Sequence, residues 1–135
     1  MIIKSLYYAP ALAWAILIYF LSTTSAANLP KFDLLSADKI GHLCFYTGLT
    51  FWLLWAGRKA GQEKSVYIFL ALLLAASYGT ALEYRQAYLP DRAFDYADML
   101  ANFAGCALGY LSFGATWAVS EYFFSLFSKK NVKKN

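Results

Sequence analysis

Four long runs of this sequence contain no charged residue. They lie at residues 5–30, 40–57, 65–82 and 99–120. Each run reaches the roughly 18–20 residues that an α-helix needs to cross about 30 Å of hydrocarbon. Because lipid offers no hydrogen-bond partners to the backbone, a crossing segment must satisfy its own N–H and C=O groups as a helix. The sequence therefore predicts an all-α membrane protein with four transmembrane helices in a bundle.

Composition supports a single membrane domain. Hydrophobic residues make up 60% of the 135 residues and charged residues 15%, which is too apolar for a soluble domain of this size. Residues 1–135 are predicted to form one domain, with helices at about 6–21, 38–57, 65–86 and 95–119 and a basic tail at 121–135. The first run could also be a signal peptide, but it is longer than a usual signal-peptide core and three further spans follow it. We therefore favour an uncleaved first helix.

Lysine and arginine residues are unevenly divided between the two predicted sides of the membrane. The larger group is Lys4, Arg58, Lys59, Lys64, Lys129, Lys130, Lys133 and Lys134; the smaller group is Lys31, Lys39, Arg85 and Arg92. Cytoplasmic segments carry the excess of these residues, so both termini are predicted to be cytoplasmic. The net charge of +4 fits this bias. No basic helix with base-reading residues is present, and a nucleic-acid partner is excluded.

Polar side chains in the second predicted helix lie on one face. Asp38, His42 and Tyr46 are spaced i, i+4, i+8 and form a stripe that descends from the outer surface into the membrane. Asp38 or Ser36 is also suited to cap the helix N-terminus. His42 is the only histidine in the chain. It is either a buried histidine bonded to a backbone carbonyl or a proton-transfer or ligand residue, and Tyr46 is also suited to core packing.

Further polar residues flank the third and fourth predicted helices on the same side. Glu83 and Gln86 are i, i+3 neighbours at the end of the third helix, where Arg85 faces a different direction. The following loop places Arg92 where it could hold a carboxylate or phosphate. One face of the fourth helix carries Asp95, Asp98 and Asn102, and deeper in it lie Gly105 and Gly109, whose small size allows a close helix approach.

These residues form the candidate site. Acid/base roles are predicted for Asp38, His42, Glu83 and Asp98; binding roles are predicted for Lys39, Tyr46, Gln86, Arg92, Asp95 and Asn102. A metal-dependent version would use Asp38, His42 and Glu83, but one histidine with scattered carboxylates is a poor metal signature, so no metal or other cofactor is predicted. Cys44 and Cys106 lie in apolar spans and are not predicted to form a disulfide.

A weak internal repeat relates the two outer segments. Leu29-Pro30 and Ala37-Asp38-xxx-His42 recur sixty positions later as Leu89-Pro90 and Ala97-Asp98-xxx-Asn102. A true repeat would mean two similar helical hairpins in which Asp38/His42 and Asp98/Asn102 face each other across the bundle. Coincidence explains so few identities about equally well.

The ordered set Asp38-Lys39-xx-His42-xxx-Tyr46, Glu83-xx-Gln86, Arg92-xx-Asp95-xx-Asp98 and Asn102-xx-Gly105 resembles the signature of the VanZ-like family. The resemblance covers residues 37–109, over half the chain. It implies a small multi-pass protein of the bacterial cytoplasmic (inner) membrane. The family is named for a protein that raises resistance to the glycopeptide antibiotic teicoplanin, so the resemblance adds resistance as an expected phenotype without supplying a reaction.

The sequence is compatible with three functions. The first is an enzyme acting on a lipid-linked or cell-wall substrate. The second is a module that binds an anionic envelope component, such as a membrane lipid, a lipid-linked intermediate or a glycopeptide, with transport requiring a homo-oligomer. The third is a structural network of buried hydrogen bonds that fixes helix packing.

Overall fold

The computed structural model describes residues 2–24, 35–62, 64–90 and 92–132, with side chains described from 4–24, 38–62, 64–90 and 92–125. The described chain is helical, with short connections. Its elements are α1 (Ile2–Leu6), α2 (Ala9–Thr23), α3 (Leu35–Lys59), α4 (Ser65–Gln86) and α5 (Tyr96–Val132). Leu29 and Pro30, which begin the first copy of the weak repeat, lie outside the described residues.

The first predicted helix starts later than predicted, at Ala9 of α2, and the short helix α1 precedes it. Pro10 stands in the first turn of α2. A proline inside a helix removes a backbone donor and its ring collides with the carbonyl four residues earlier, which here belongs to Leu6. The helix that begins at Ala9 therefore cannot continue smoothly backwards, and α1 ends at Leu6.

Helix α3 begins and ends at positions set by local sequence. It starts at Leu35, three residues before the predicted start, so Asp38 lies in its first turn and does not cap it. At the other end Gly61 adopts a φ of 81°, which a glycine reaches without steric cost. The N–H of Gln62 then bonds Gly57 O at 2.8 Å, and this glycine-terminated arrangement ends the helix.

Helix α5 is longer than predicted. The sequence predicted a helix to about residue 119 followed by a basic tail, but α5 continues through Val132. No proline or glycine follows Gly114 in this segment, so nothing in the backbone chemistry stops the helix. The described part of the basic tail is therefore an extension of α5.

Helix α3 is the centre of the bundle and packs most extensively against α5. A Cβ atom added at Gly105 would lie 2.5 Å from Leu43 O, and one added at Gly109 would lie 2.6 Å from Thr47 O. The two helices thus approach until the glycine backbones touch α3, which confirms the predicted close packing. On the opposite side of α3, Trp14 Nε1 of α2 donates to Phe45 O at 2.8 Å.

The two ends of the bundle differ in chemistry. The first end, called here the polar end, holds Ser22, the beginning of α3, Gln86 and Asp95. At the opposite end Arg58 lies 4.2 Å above the ring of Trp117 and 3.4 Å from Glu121 Oε1. The helices therefore alternate in direction, as the sequence predicted for successive spans.

Two stretches of the described chain, Lys4–Thr23 and Ser65–Gln86, are long and apolar enough to cross a membrane. The fold is thus all-helical and compatible with a membrane. Helices α3 and α5 carry more polar residues along their length, including His42, Thr47 and Thr50 in α3. The four-span arrangement stays a prediction.

Candidate functional site

Three helices contribute buried polar side chains to the polar end. Helix α3 supplies His42, α4 supplies Glu83, and α5 supplies Asp98 and Asn102. Each is less than 10% exposed, and Glu83 and Asn102 are only 1% exposed. The predicted stripe on α3 thus faces the predicted polar face of α5, with the end of α4 beside them.

His42 lies at the centre of this group. Its Nδ1 is 2.9 Å from Asn102 Oδ1 and 3.5 Å from Glu83 Oε1. Its Nε2 lies 3.9 Å from Asp38 Oδ1 and 3.9 Å from Asp98 Oδ2. The partner of His42 is therefore a side-chain amide, in place of the backbone carbonyl considered from the sequence. Carboxylates on both sides of one imidazole allow it to hold or pass a proton.

Glu83 is the most enclosed acid of the group. Its Oε1 faces His42, while its Oε2 is buried with no hydrogen-bond partner among the described residues. The backbone N–H of Asp95 also faces the Glu83 carboxyl group. A buried polar atom without a partner is costly, so such an atom is suited to accept a hydrogen bond from water or from a ligand.

Lys39 bridges two acids of the α5 start. Its Nζ lies 2.8 Å from Asp95 Oδ2 and 3.0 Å from Asp98 Oδ1. Asp95 Oδ1 accepts from the N–H of Ala97 at 2.7 Å and so caps α5. The ammonium of Lys39, together with the Ala97 N–H, holds the pKa of the Asp95 carboxyl below its usual value. Asp95 and Asp98 thus form ion pairs with Lys39, the lysine that was predicted from the sequence to bind a ligand.

The other predicted binding residues, Gln86, Tyr46 and Arg92, each have a different environment. Gln86 Nε2 donates to Ser22 O at 3.1 Å and links α4 to α2. Tyr46 is 2% exposed and packs where a Cβ atom at Gly79 would meet its ring at 2.9 Å. Arg92 Nε is buried without a hydrogen-bond partner, and within the described residues Arg92 makes no ion pair. Arg85 lies over the ring of Tyr19, outside the group.

One set of residues has the spacing of metal ligands. Asp38, His42 and Asp98 each offer an atom, and these atoms lie within 4.8 Å of one another. Sequence reasoning considered Asp38, His42 and Glu83 for this role. In the structure Asp98 takes the place of Glu83 in this set. Glu83 lies near Nδ1 of the imidazole, whereas Asp38 and Asp98 lie near Nε2.

Sequence reasoning missed three participants in this region. They are the carbonyl of Ser22, the ion pair of Lys39 with two acids, and Gly79, whose missing side chain leaves room for Tyr46 and the Asn102 amide. Gly79 could have been noticed as a glycine inside an apolar span. Nothing in the sequence indicates the Ser22 contact, since it depends on how α2 meets α4.

The fold and the site together define a class of protein. It is all-helical, compatible with a membrane, and carries a buried histidine–carboxylate group at one end. The family model described as VanZ/LLP1 matches residues 6–117. The chain therefore belongs to the VanZ/LLP1 family, and the resemblance drawn from the spacing of the polar residues is confirmed. Comparison with curated proteins and with solved structures finds no match.

Proposed function

We propose that this protein is a multi-pass protein of the bacterial cytoplasmic membrane, with both termini in the cytoplasm and the polar end outside. Large apolar side chains on the bundle surface support this, among them Leu12, Phe69 and Leu111, each more than 60% exposed, while Glu83 and Asn102 are buried. The lysine and arginine bias supports the orientation. Labelling of Asp38→Cys by a membrane-impermeant thiol reagent in intact cells, in a Cys44→Ala background, tests it.

We propose that four buried side chains at the polar end bind the headgroup of a cell-envelope component such as a lipid or a lipid-linked intermediate. These side chains, called here the His42 group, are His42, Glu83, Asp98 and Asn102. The observation that carries this is Glu83, which is 1% exposed and has an unpartnered oxygen beside an imidazole. Burying an incompletely paired carboxylate costs stability and is retained where it serves a ligand. Asp38, whose side chain is 57% exposed, connects this interior group to the surface.

Acid/base catalysis is the second candidate function. His42 lies between Glu83 on its Nδ1 side and Asp98 on its Nε2 side, so a proton taken up at one nitrogen has a carboxylate near the other. A bound headgroup that emerges chemically altered is the result that distinguishes an enzyme from a binding module.

A purely structural network is the third reading. The contacts of Lys39 with Asp95 and Asp98 and of Gln86 with Ser22 O support it, because each joins two helices. Glu83 Oε2 has no hydrogen-bond partner among the described residues and therefore links no two helices. This favours a binding site over a structural network.

Native mass spectrometry with lipid extraction tests the proposed binding site. The purified wild-type protein is expected to carry an envelope component, and Glu83→Gln is expected to retain at least about 10-fold less of it. The reason is that truncating one partner of a buried charged pair costs roughly 2–5 kcal/mol of binding free energy. Glu121→Gln is the matched control, since it makes the same chemical change at the opposite end. Equal retention by both variants would contradict the proposal. Teicoplanin susceptibility of cells with each variant adds the phenotype that the family name indicates.

A further inference from the structure

We propose that Asp38, His42 and Asp98 bind a divalent metal cation at the polar end. His42 Nε2 is 3.9 Å from Asp38 Oδ1 and 3.9 Å from Asp98 Oδ2. The three ligand atoms lie within 4.8 Å of one another. Bonds of about 2.0–2.2 Å from nitrogen and oxygen to a metal such as Zn²⁺ place neighbouring ligand atoms roughly 3–4 Å apart. An ion therefore fits between these atoms after side-chain movements of less than about 1 Å.

The contacts of His42 leave Nε2 free to be a ligand. Nδ1 has two oxygen neighbours, Asn102 Oδ1 at 2.9 Å and Glu83 Oε1 at 3.5 Å. Both oxygens accept, so the proton of the neutral imidazole belongs on Nδ1. Nε2 then presents a lone pair towards two carboxylates, and among the described residues it has no hydrogen-bond partner. Its side chain is only 10% exposed, so this convergence is favourable only with positive charge at Nε2, supplied either by a proton or by a metal cation.

The surroundings of the three residues resemble the outer shell of a metal site. A ligating histidine commonly donates its second N–H to a carboxylate or carbonyl oxygen, as His42 does towards Asn102 and Glu83. Lys39 holds Asp98 Oδ1 at 3.0 Å, which leaves Oδ2 directed at His42. Asp38 is exposed, so an ion here keeps coordination positions open to water or a substrate.

The donor set selects a class of ion. One imidazole nitrogen with two carboxylates suits Zn²⁺ or Mn²⁺ better than ions that require oxygen ligands alone. Lys39 pairs with Asp95 and Asp98, and His42 lies near Asp38 and Glu83. This end therefore carries four carboxylates, and an anionic headgroup is repelled unless a cation intervenes. That bridging step rests on the proposed function, whereas cation binding itself does not.

Titration of the metal-free protein with Zn²⁺ or Mn²⁺ alone tests the site. After removal of bound metal by a chelator, wild-type protein in detergent is expected to bind about one ion per chain in a saturable manner. Asp38→Asn is expected to weaken this binding by at least about 10–100-fold, because loss of even an outer-shell partner of a metal ligand typically costs that much. The exposed position of Asp38 means that this variant should fold normally, which circular dichroism and gel filtration check.

Glu121→Gln is again the matched control, because it removes a carboxylate far from the three ligands and should bind the ion like wild type. The proposal would be overturned by wild-type protein that shows no saturable binding, as expected if a protonated His42 alone balances the carboxylates. It would equally be overturned if Asp38→Asn bound as tightly as wild type. No envelope component is present in this titration, so its failure is distinguishable from failure of the headgroup-binding test on Glu83→Gln.

Discussion

Replacing Gly105 with alanine is expected to destabilise the protein by about 1–3 kcal/mol, the usual cost of overpacking. The added Cβ atom would lie 2.5 Å from Leu43 O and 3.1 Å from Tyr46 Cβ. The first of these neighbours is backbone, so relief requires α3 and α5 to move apart. The same two helices hold His42 against Asn102, and the substitution should therefore also loosen the candidate site.

Thermal unfolding in detergent measures this effect. Gly114→Ala is the matched control on α5, because a Cβ atom at Gly114 meets nothing within 4 Å. That control should unfold at the wild-type temperature or slightly above it, since alanine favours helix over glycine by up to about 1 kcal/mol. Equal unfolding temperatures for Gly105→Ala and Gly114→Ala would show that the close contact of α5 with α3 is wrong.

The second large effect is expected for Lys39→Met. Lys39 is the hydrogen-bond partner of Asp98, whose side chain is 7% exposed, and removing it leaves a buried carboxylate next to other acids. The expected loss is about 1–3 kcal/mol, the cost of an unsatisfied buried group. Lys39 itself is 37% exposed, and this keeps the loss below that of a fully buried pair.

Two further variants isolate the cause of that loss. Asp95→Asn removes the exposed partner of Lys39 and should lower stability much less than Lys39→Met does, because surface ion pairs contribute little. The double variant Lys39→Met/Asp98→Asn should recover part of the stability lost in Lys39→Met, because it removes the stranded charge. Additive losses in chemical denaturation of the double variant would contradict the coupling of Lys39 with Asp98.

The residues of the site could be predicted from the sequence better than their partners. Helical spacing placed His42 on one face of α3 and placed Asp98 and Asn102 on one face of α5. The offset of sixty positions predicted that His42 faces Asn102, and the two side chains are in contact in the structure. The repeat itself stays a hypothesis, since close packing at Gly105 and Gly109 brings these faces together without any duplication.

Contacts between separate elements were not predictable. Lys39 was assigned to an external anion because a sequence does not show that Asp95 and Asp98 lie 2.8 and 3.0 Å from its ammonium group. The division at Pro10 and the length of α5 were missed for local reasons. Pro10 prevents α2 from continuing smoothly back into α1, and α5 runs on through Val132 because no proline or glycine follows Gly114 in this segment.

The unfolding temperature of Glu83→Gln tests most directly whether the polar end is a functional site. A carboxylate kept for a ligand is a cost to the empty protein, because Oε2 is buried without a partner among the described residues. After any bound component is removed by detergent exchange, we expect Glu83→Gln to unfold at the wild-type temperature or above it. A fall of more than about 5 °C, or roughly 1–2 kcal/mol for a domain of this size, would contradict this and make the group a structural network.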